Sequence, residues 1–449
     1  MVSKKQKFRT VILVLILAAA IVGGVFAISY YKGGVTLPWE LSTGAKEAEQ
    51  VQEEPDKPHE LVVRVEEAKP ETTDEDPEPE QEAAPTVSKL DYYGPLAVYD
   101  SSLVDSKGNP AQLTGVSSHG LSWFPEFITA DSIKSLRENW GINVIRLAMY
   151  TSDFNGYCVS GTDNQQVLKD KIDEAVKAAT DNQMYVIIDW HTLNDNNPNT
   201  YKSEAIQFFG EMVRKYQDNE NVIYEICNEP NGDTTWADIK AYANEVIPVI
   251  RNVDRDAIIL VGTPSWSSDL ASVAADPLTF ENIMYTYHFY AASHKTVERD
   301  KLVEALDAGL PVFISEYGYV AADGNGSVDT EEATKWNDVI RAYNLSSCIW
   351  NLSNKDEGSA LISAGSDAKV DFTYDDLSEQ GKFFYDKLAA DKEYKASNAD
   401  KSDDSNADKN DKEDSKDKSS KDRDSKDKNS NRDSKNKDSK EKDASRRSN

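Results

Sequence analysis

The sequence predicts an α/β fold: a single (β/α)8 TIM barrel flanked on both sides by disordered segments. Three observations predict it. Eight short runs rich in β-branched and aromatic residues recur through 86–390. Stretches whose apolar residues fall three and four apart lie between them. The runs repeat at intervals of roughly 25–40 residues, which matches the length of an eight-unit barrel. Strand–helix alternation implies a parallel sheet, because parallel neighbours need crossover connections. An open doubly wound sheet is the alternative. It usually carries a Gly-rich phosphate loop after its first strand, and GVSSHG (115–120) does not match GxGxxG.

The first four strand candidates are LTGVSS (113–118), VIRLAMY (144–150), MYVIIDWH (184–191) and VIYEICNEP (222–230). The last four are IILVGTPSW (258–266), IMYTYHFY (283–290), VFISEYG (312–318) and SSCIWNLS (346–353). Helical spacing is clearest in SEAIQFFGEMVRKYQ (203–217) and TTWADIKAYANEVIPVIRNV (234–253). Side chains able to cap a helix start stand at Asp131, Ser203 and Thr234.

Charge divides the 449 residues into unlike parts. The formal net charge of −29 is made of +4 over 1–45, −11 over 46–85, −23 over 86–390 and +1 over 391–449. A balance this acidic excludes a nucleic-acid binder, which needs basic patches to displace counterions from phosphates. Lys4, Lys5, Lys7 and Arg9 precede an uncharged run from Val11 to Ile28. That run is long enough to span a membrane, and the flanking charge places the N-terminus inside and the rest outside. A cleaved secretory signal begins the same way; no clean small-x-small site follows, which favours an uncleaved signal anchor over 1–31. Either reading exports the chain, to be secreted or held at the cell surface by its membrane segment. Residues 32–88 form a linker rich in Glu and Pro, as in EDPEPEQEAAP, with too few apolar residues to repay their ordering entropy. Residues 391–449 are a Lys/Asp/Ser tail with no hydrophobic period. One catalytic domain, 89–390, remains, expected to act as a monomer. The three Cys match neither a disulfide framework nor a zinc spacing. Cys227 and Cys348 read as small core residues.

Polar residues gather at the predicted C-terminal strand ends, the face where such barrels place their active sites. Arg146 lies on the second strand, and Asp189, Trp190 and His191 end the third. Asn228 and Glu229 end the fourth, His288 and Tyr290 the sixth and Glu316 the seventh; Trp350 lies on the eighth. Period-two alternation turns Val144, Arg146 and Ala148 inward together, and His288 with Tyr290. Of five His, three (119, 191 and 288) fall at or just after strand ends. No HxH or HxxxH occurs, so a hydrogen-bonding role is preferred to a metal site, and no cofactor is expected. Two carboxylates at strand ends fit glycoside hydrolysis, in which one protonates the leaving oxygen and the other attacks or positions water. Glu229 is the candidate acid and Glu316 the candidate nucleophile. Arg146 would hold Glu316 ionised, Tyr290 would donate to its second oxygen, His288 would serve the acid, and Asn228 would meet the sugar 2-hydroxyl. Glu225, sharing the parity of Glu229, reads as a deeper buried partner, and Asp189 as a supporting group. Trp123, Tyr150, Trp190, Trp266 and Trp350 at strand ends are candidate platforms for the apolar faces of sugars, whereas Trp140, Trp236 and Trp336 read as packing residues.

At these residues a resemblance becomes clear. Residues 90–390 resemble glycoside hydrolase family 5, above all its bacterial endo-β-1,4-glucanases. IYEICNEPNG (223–232) is similar to the family's NEP motif, which implies Glu229 as acid/base; FISEYG (313–318) is similar to its nucleophile strand, which implies Glu316. Arg146, His191, Asn228, His288, Tyr290 and Trp350 match the family's remaining site residues in order. GVSSHGLSWFP (115–125) resembles its glucan-binding loop, implying His119 and Trp123 in the glycone subsites. WNLSNKDEGSALI (350–362) resembles the loop in which Lys355 and Glu357 bind sugar hydroxyls, and Tyr150 and Trp266 sit where relatives stack glucose. Tyr317 departs from the Trp that often follows the nucleophile. The implied activity is retaining, endo-acting hydrolysis of β-1,4-glucosidic bonds, with a β-glucan polysaccharide as partner. A mannanase or mixed-linkage glucanase of the same family is the alternative. A non-catalytic surface carbohydrate-binding protein would show a replaced catalytic Glu or His, and none is replaced.

Overall fold

A computed structural model describes residues 90–391. The candidate span at 11–28, the acidic linker over 32–88 and the tail beyond 391 lie outside the described residues. Among the described residues no helix is long and apolar enough to cross a membrane.

The chain first makes an antiparallel hairpin, β1 (Leu96–Tyr99) and β2 (Ser102–Asp105), which sequence pattern did not reveal. Its strands are too short to display a period, and its turn uses Asp100 at φ 52° rather than a glycine. Leu96 and Leu103 of the hairpin pack with Leu113, Val144 and Tyr185, closing the N-terminal end of the barrel.

The barrel itself consists of β3 (Thr114–Ser118), β4 (Val144–Tyr150), β5 (Tyr185–His191), β6 (Val222–Glu225), β7 (Ile259–Val261), β8 (Ile283–Tyr290), β9 (Val312–Gly318) and β10 (Ser347–Leu352). Every neighbour is parallel, and β10 pairs with β3 to close the ring. The (β/α)8 expectation therefore holds. Strands β6 and β7 end earlier than expected, so Asn228–Glu229 and Thr263–Trp266 lie in the loops above them. The lumen is apolar low down, where Val144, Tyr185, Ile223, Leu260, Met284, Phe313 and Cys348 meet. Higher in the lumen the inward positions become Arg146, Asp189, Glu225 and His288, all buried.

Helices cover the outside by their apolar faces. Helix Lys202–Tyr216 buries Phe208, Phe209, Met212 and Val213, and helix Trp236–Arg251 buries Ile239, Tyr242, Val246 and Ile250. The capping residues differ from those expected. Thr129, Tyr201 and Thr235 occupy the N-cap positions, which leaves Asp131 and Ser203 inside the first turn. Thr235 displaces Thr234 because Asp238, three residues on, returns its hydrogen bond in a capping box. Trp140, Trp236 and Trp336 are packing residues, as expected, with Trp336 stacked on Phe289 at 3.9 Å. Trp190 is a correction. With Asp189 and His191 inward, Trp190 points outward and is fully buried against Tyr157, Phe208 and Phe209, so it is no sugar platform.

Strand β9 breaks the alternation. Thr286 pairs with Phe313 but His288 pairs with Glu316, so two steps on β8 meet three on β9. This bulge turns both Ser315 and Glu316 into the lumen.

Candidate active site

Arg146 is the hub beneath the site. It is fully buried, and its guanidinium reaches Glu225 (Nε–Oε2 2.7 Å, Nη2–Oε1 3.1 Å), Asp189 (Nη2–Oδ2 3.0 Å) and Glu316 (Nη1–Oε2 3.0 Å). It also donates to Asn228 Oδ1 at 2.7 Å and Ser117 Oγ at 3.2 Å. Burial alone would lower its pKa; Asp189, Glu225 and Glu316 more than reverse that, and it stays charged. Three carboxylates competing for one cation are not all comfortable as anions. Burial pushes Asp189 up to about 7 despite its contact with Arg146, and raises Glu225 as well. Glu316 is raised by burial and by Glu229, while His288 and Arg146 pull it back. Its other oxygen, Oε1, accepts from the Tyr290 hydroxyl at 2.8 Å. Gly318, the register partner of Tyr290, makes this possible: a Cβ there would sit 2.7 Å from the Tyr290 ring.

Glu229 is held by a different set of contacts. Its Oε1 lies 2.9 Å from His288 Nδ1. On the far side of that ring, Nε2 lies 2.9 Å from Ser315 Oγ, which in turn donates to Glu225 Oε1 at 2.7 Å. Glu225, gripped in two places by Arg146, is the acceptor, so Ser315 spends its only proton there and must accept from His288. The imidazole therefore carries its proton on Nε2 and offers a lone pair at Nδ1 to Glu229. That pairing is satisfied when Glu229 is protonated. Burial pushes Glu229 up to about 8 and His288 down to about 4, in the same sense. An oxygen of Glu229, an oxygen of Glu316 and a ring nitrogen of His288 all lie within 4.8 Å of one another. Among the described residues this trio is the only such group compact enough to share a cation, but its members already partner one another or Tyr290, Ser315 and Arg146.

His191 is fixed in the opposite tautomer. Asn228 Nδ2 donates towards its Nε2 at 3.3 Å, so Nδ1–H donates to Asp189 Oδ2 at 2.6 Å. The other amide hydrogen of Asn228 meets the Thr192 carbonyl at 3.1 Å. A sugar hydroxyl at Asn228 would therefore have to share a donor already in use.

The cleft above these groups has a volume of about 690 Å³. On one side Trp350 stacks on His191 (5.4 Å) and approaches His119 (5.3 Å), and Tyr150 lies 4.2 Å from His191. Lys355 Nζ bridges Glu357 Oε2 (2.6 Å) and His119 Nε2 (3.2 Å). Burial, with Lys355 next, pushes His119 down to about 4, and the Lys355 ammonium, which can only donate, meets the ring lone pair at Nε2. Trp123 (42% exposed) follows β3 and Trp266 (55% exposed) follows β7. These strands are four places apart in the eight-strand ring, so the two exposed indoles follow strands on opposite sides of the barrel, and both line the cleft that holds Glu229 and Glu316.

A family model for cellulase (glycosyl hydrolase family 5) matches residues 104–356, more than half of the chain. The chain belongs to glycosyl hydrolase family 5. It is a glycoside hydrolase, 60% identical over 410 residues to endoglucanase A of Butyrivibrio fibrisolvens, across 87% of this chain and 95% of that one. An endoglucanase of Clostridium saccharobutylicum is 50% identical over 65% of this chain, which spans 64% of that relative. A solved structure of the catalytic domain of Thermobifida fusca endoglucanase, a glutamate-to-glutamine variant with cellotetraose, is 36% identical with a TM-score of 0.63, covering 66% of this chain and 98% of that one.

The hydrolase brings twelve of its fourteen sequence-predicted site residues to the cleft wall; Arg146 and Asn228 lie just beneath it, bonded to Glu316 and to each other. Sequence reading missed Ser315, and also Asp153, His294 and Asp323, which line the same cleft. It missed Phe154 too, exposed and 5.0 Å from Trp123. His294 and Phe154 lie in loops, where no strand period marks direction, but as a His and an aromatic beside strand-end residues they carried some signal.

Proposed function

We propose that this hydrolase is a retaining endo-β-1,4-glucanase in which Glu316 is the nucleophile and Glu229 the acid/base. One observation carries the reading. An oxygen of Glu229 and an oxygen of Glu316 lie within 4.8 Å of one another, and burial raises Glu229 to about 8 while Arg146 and His288 pull Glu316 back towards the anion. Inverting enzymes need roughly 6.5–9.5 Å for that water, retaining enzymes about 5–5.5 Å. Glu316, held at Oε2 by Arg146 and at Oε1 by Tyr290, attacks the anomeric carbon through a carboxylate oxygen. The Glu229 proton passes to the glycosidic oxygen as the C–O bond breaks, and the leaving sugar departs. Glu229, now a carboxylate, takes a proton from water; the hydroxide replaces Glu316 at the anomeric carbon, and both carboxyls return to their starting states.

Endo action follows from the opposed platforms, since a polymer can cross the barrel mouth from Trp123 to Trp266 with chain extending at both ends. The relatives' description as endoglucanases, and the cellotetraose held by the T. fusca enzyme, support a β-1,4-glucan as substrate. A polymer cannot cross a membrane, so the enzyme is proposed to act outside the cell, in keeping with the N-terminal run. The test is hydrolysis of carboxymethyl cellulose against β-mannan and mixed-linkage glucan, with proton NMR of the first anomer released. Preferred release from carboxymethyl cellulose with a β-anomer product is expected. Preference for mannan moves the substrate, and an α-anomer overturns the mechanism.

The pH profile is fixed by the same pair. Glu229 must be protonated to act as acid, so kcat/KM falls as pH rises through its pKa, pushed up to about 8 by burial. Glu316 must be ionised, so kcat/KM also falls as pH drops through its own raised value. A pH–rate profile on soluble β-glucan should show the alkaline limb, and Glu229→Gln should remove it. An alkaline limb that survives that variant unchanged belongs to another group.

A further inference from the structure

Between β7 and helix Leu270–Ala275 the backbone turns with the wrong hand. Ser265, Trp266 and Ser267 have φ values of 58°, 56° and 53°. Three successive non-glycine residues in the left-handed region crowd each Cβ against the following carbonyl, and such a turn persists only where its surroundings over-determine it. Here the surroundings are the segment that carries Glu229.

Ser267 is fully buried and its hydroxyl is saturated. It accepts from Thr263 N–H (3.2 Å) and from the Thr286 hydroxyl (2.9 Å), and donates its one proton to the Asn228 carbonyl at 2.5 Å. One residue earlier, Trp266 N–H donates to the Pro230 carbonyl at 3.1 Å. These two bonds bracket Glu229, whose own N–H is held by the Thr192 carbonyl at 3.1 Å. The peptide unit entering Glu229 is thus fixed at both its C=O and its N–H. Gly262 lets the two segments lie this close, since a Cβ there would sit 2.4 Å from the Cys227 carbonyl oxygen.

We propose that Ser267 is a positioning residue that couples the Trp266 platform to the acid/base. The left-handed turn presents the indole to the cleft while its next hydroxyl sets the peptide plane before Glu229. A sugar stacked on Trp266, on the leaving side, then arrives with its glycosidic oxygen in register with the proton it must receive. The proposal rests on Glu229 being the acid/base.

The test uses leaving groups, because a group acting through the acid affects only reactions that need the acid. On the full chain, kcat/KM is measured for dinitrophenyl β-cellobioside, whose leaving group needs no proton, and for phenyl β-cellobioside, whose leaving group does. Ser267→Ala should lower the phenyl value by about 10- to 100-fold and leave the dinitrophenyl value within about threefold. Thr286→Val, which removes a donor to Ser267 but leaves its bond to Asn228, should shift the ratio in the same direction by less, and keeps the test available if Ser267→Ala folds poorly. Equal losses on both substrates, or none, overturn the proposal and leave Ser267 a folding residue. Glu229→Ala beside them separates the two readings. Uniform loss there unseats the acid assignment and the coupling with it; a selective loss there with a uniform loss in Ser267→Ala overturns the coupling alone.

Discussion

Glu316→Gln leaves a folded protein that binds cello-oligosaccharide and does not turn it over. The replacement keeps the side-chain shape: its amide oxygen can still accept from Arg146 Nη1, and its NH2 can donate to the Tyr290 hydroxyl, the two groups that now hold the carboxylate at 3.0 and 2.8 Å. What it loses is the anionic oxygen that forms the glycosyl bond, and an amide does not replace it. Turnover of soluble β-glucan should fall by about 10⁴-fold or more, the scale on which loss of a covalent nucleophile is felt. Calorimetric affinity for cellotetraose should stay within about tenfold, since the groups that meet the sugar elsewhere in the cleft are untouched. The melting temperature should hold or rise, because one of three carboxylates crowding a single guanidinium has become neutral. A variant that hydrolyses at the parent rate would place the nucleophile elsewhere.

Much of this site was legible because a barrel strand reports its own geometry. Arg146, His191, His288 and Tyr290 each sit at an inward position that alternation assigns, and Glu225 shares the parity of Glu229 and lies beneath it, pairing with Arg146 as expected. The same alternation places Trp190 outside the barrel, between the inward Asp189 and His191, and its position at a strand end does not make it a cleft residue. Ser315 was hidden for the opposite reason. Counting back from Glu316 puts it outside, whereas Ser315 shares the inward parity of Phe313 and the β9 bulge adds Glu316 to the same face. A bulge is set by the mismatch between two strands, which no single stretch of sequence displays. Ser267 was hidden because a left-handed turn of Ser-Trp-Ser carries none of the glycines that mark such turns. The hairpin β1–β2 was missed because strands of four residues show no period.

Arg146→Met should unfold more readily than any other single change in the lumen, and more so at higher pH. The methionine fills much of the space, but it leaves Glu225, Asp189 and Glu316 in a buried cluster with no cation and leaves Asn228 Oδ1 without its donor. Removing one partner of a buried ion pair costs about 3–5 kcal/mol, and here a single cation serves three anions. The sign of the pH effect follows from linkage. Without Arg146, burial raises the carboxyls further above their unfolded values, so the folded state binds more protons than the unfolded one. The stability that remains is present at low pH and is lost as pH rises through those raised values. The gap in melting temperature between parent and variant should therefore widen from about pH 5 to about pH 8. Arg146→Lys separates charge from geometry. A lysine keeps one positive charge but cannot fork to Glu225 while also reaching Glu316, so that variant should melt closer to the parent and still lose about 100-fold or more in kcat/KM through a misplaced nucleophile. If Arg146→Lys retained full activity, the guanidinium would matter to this site only as a charge, and the network joining Glu316, Glu225, Ser315, His288 and Glu229 would not need its fork.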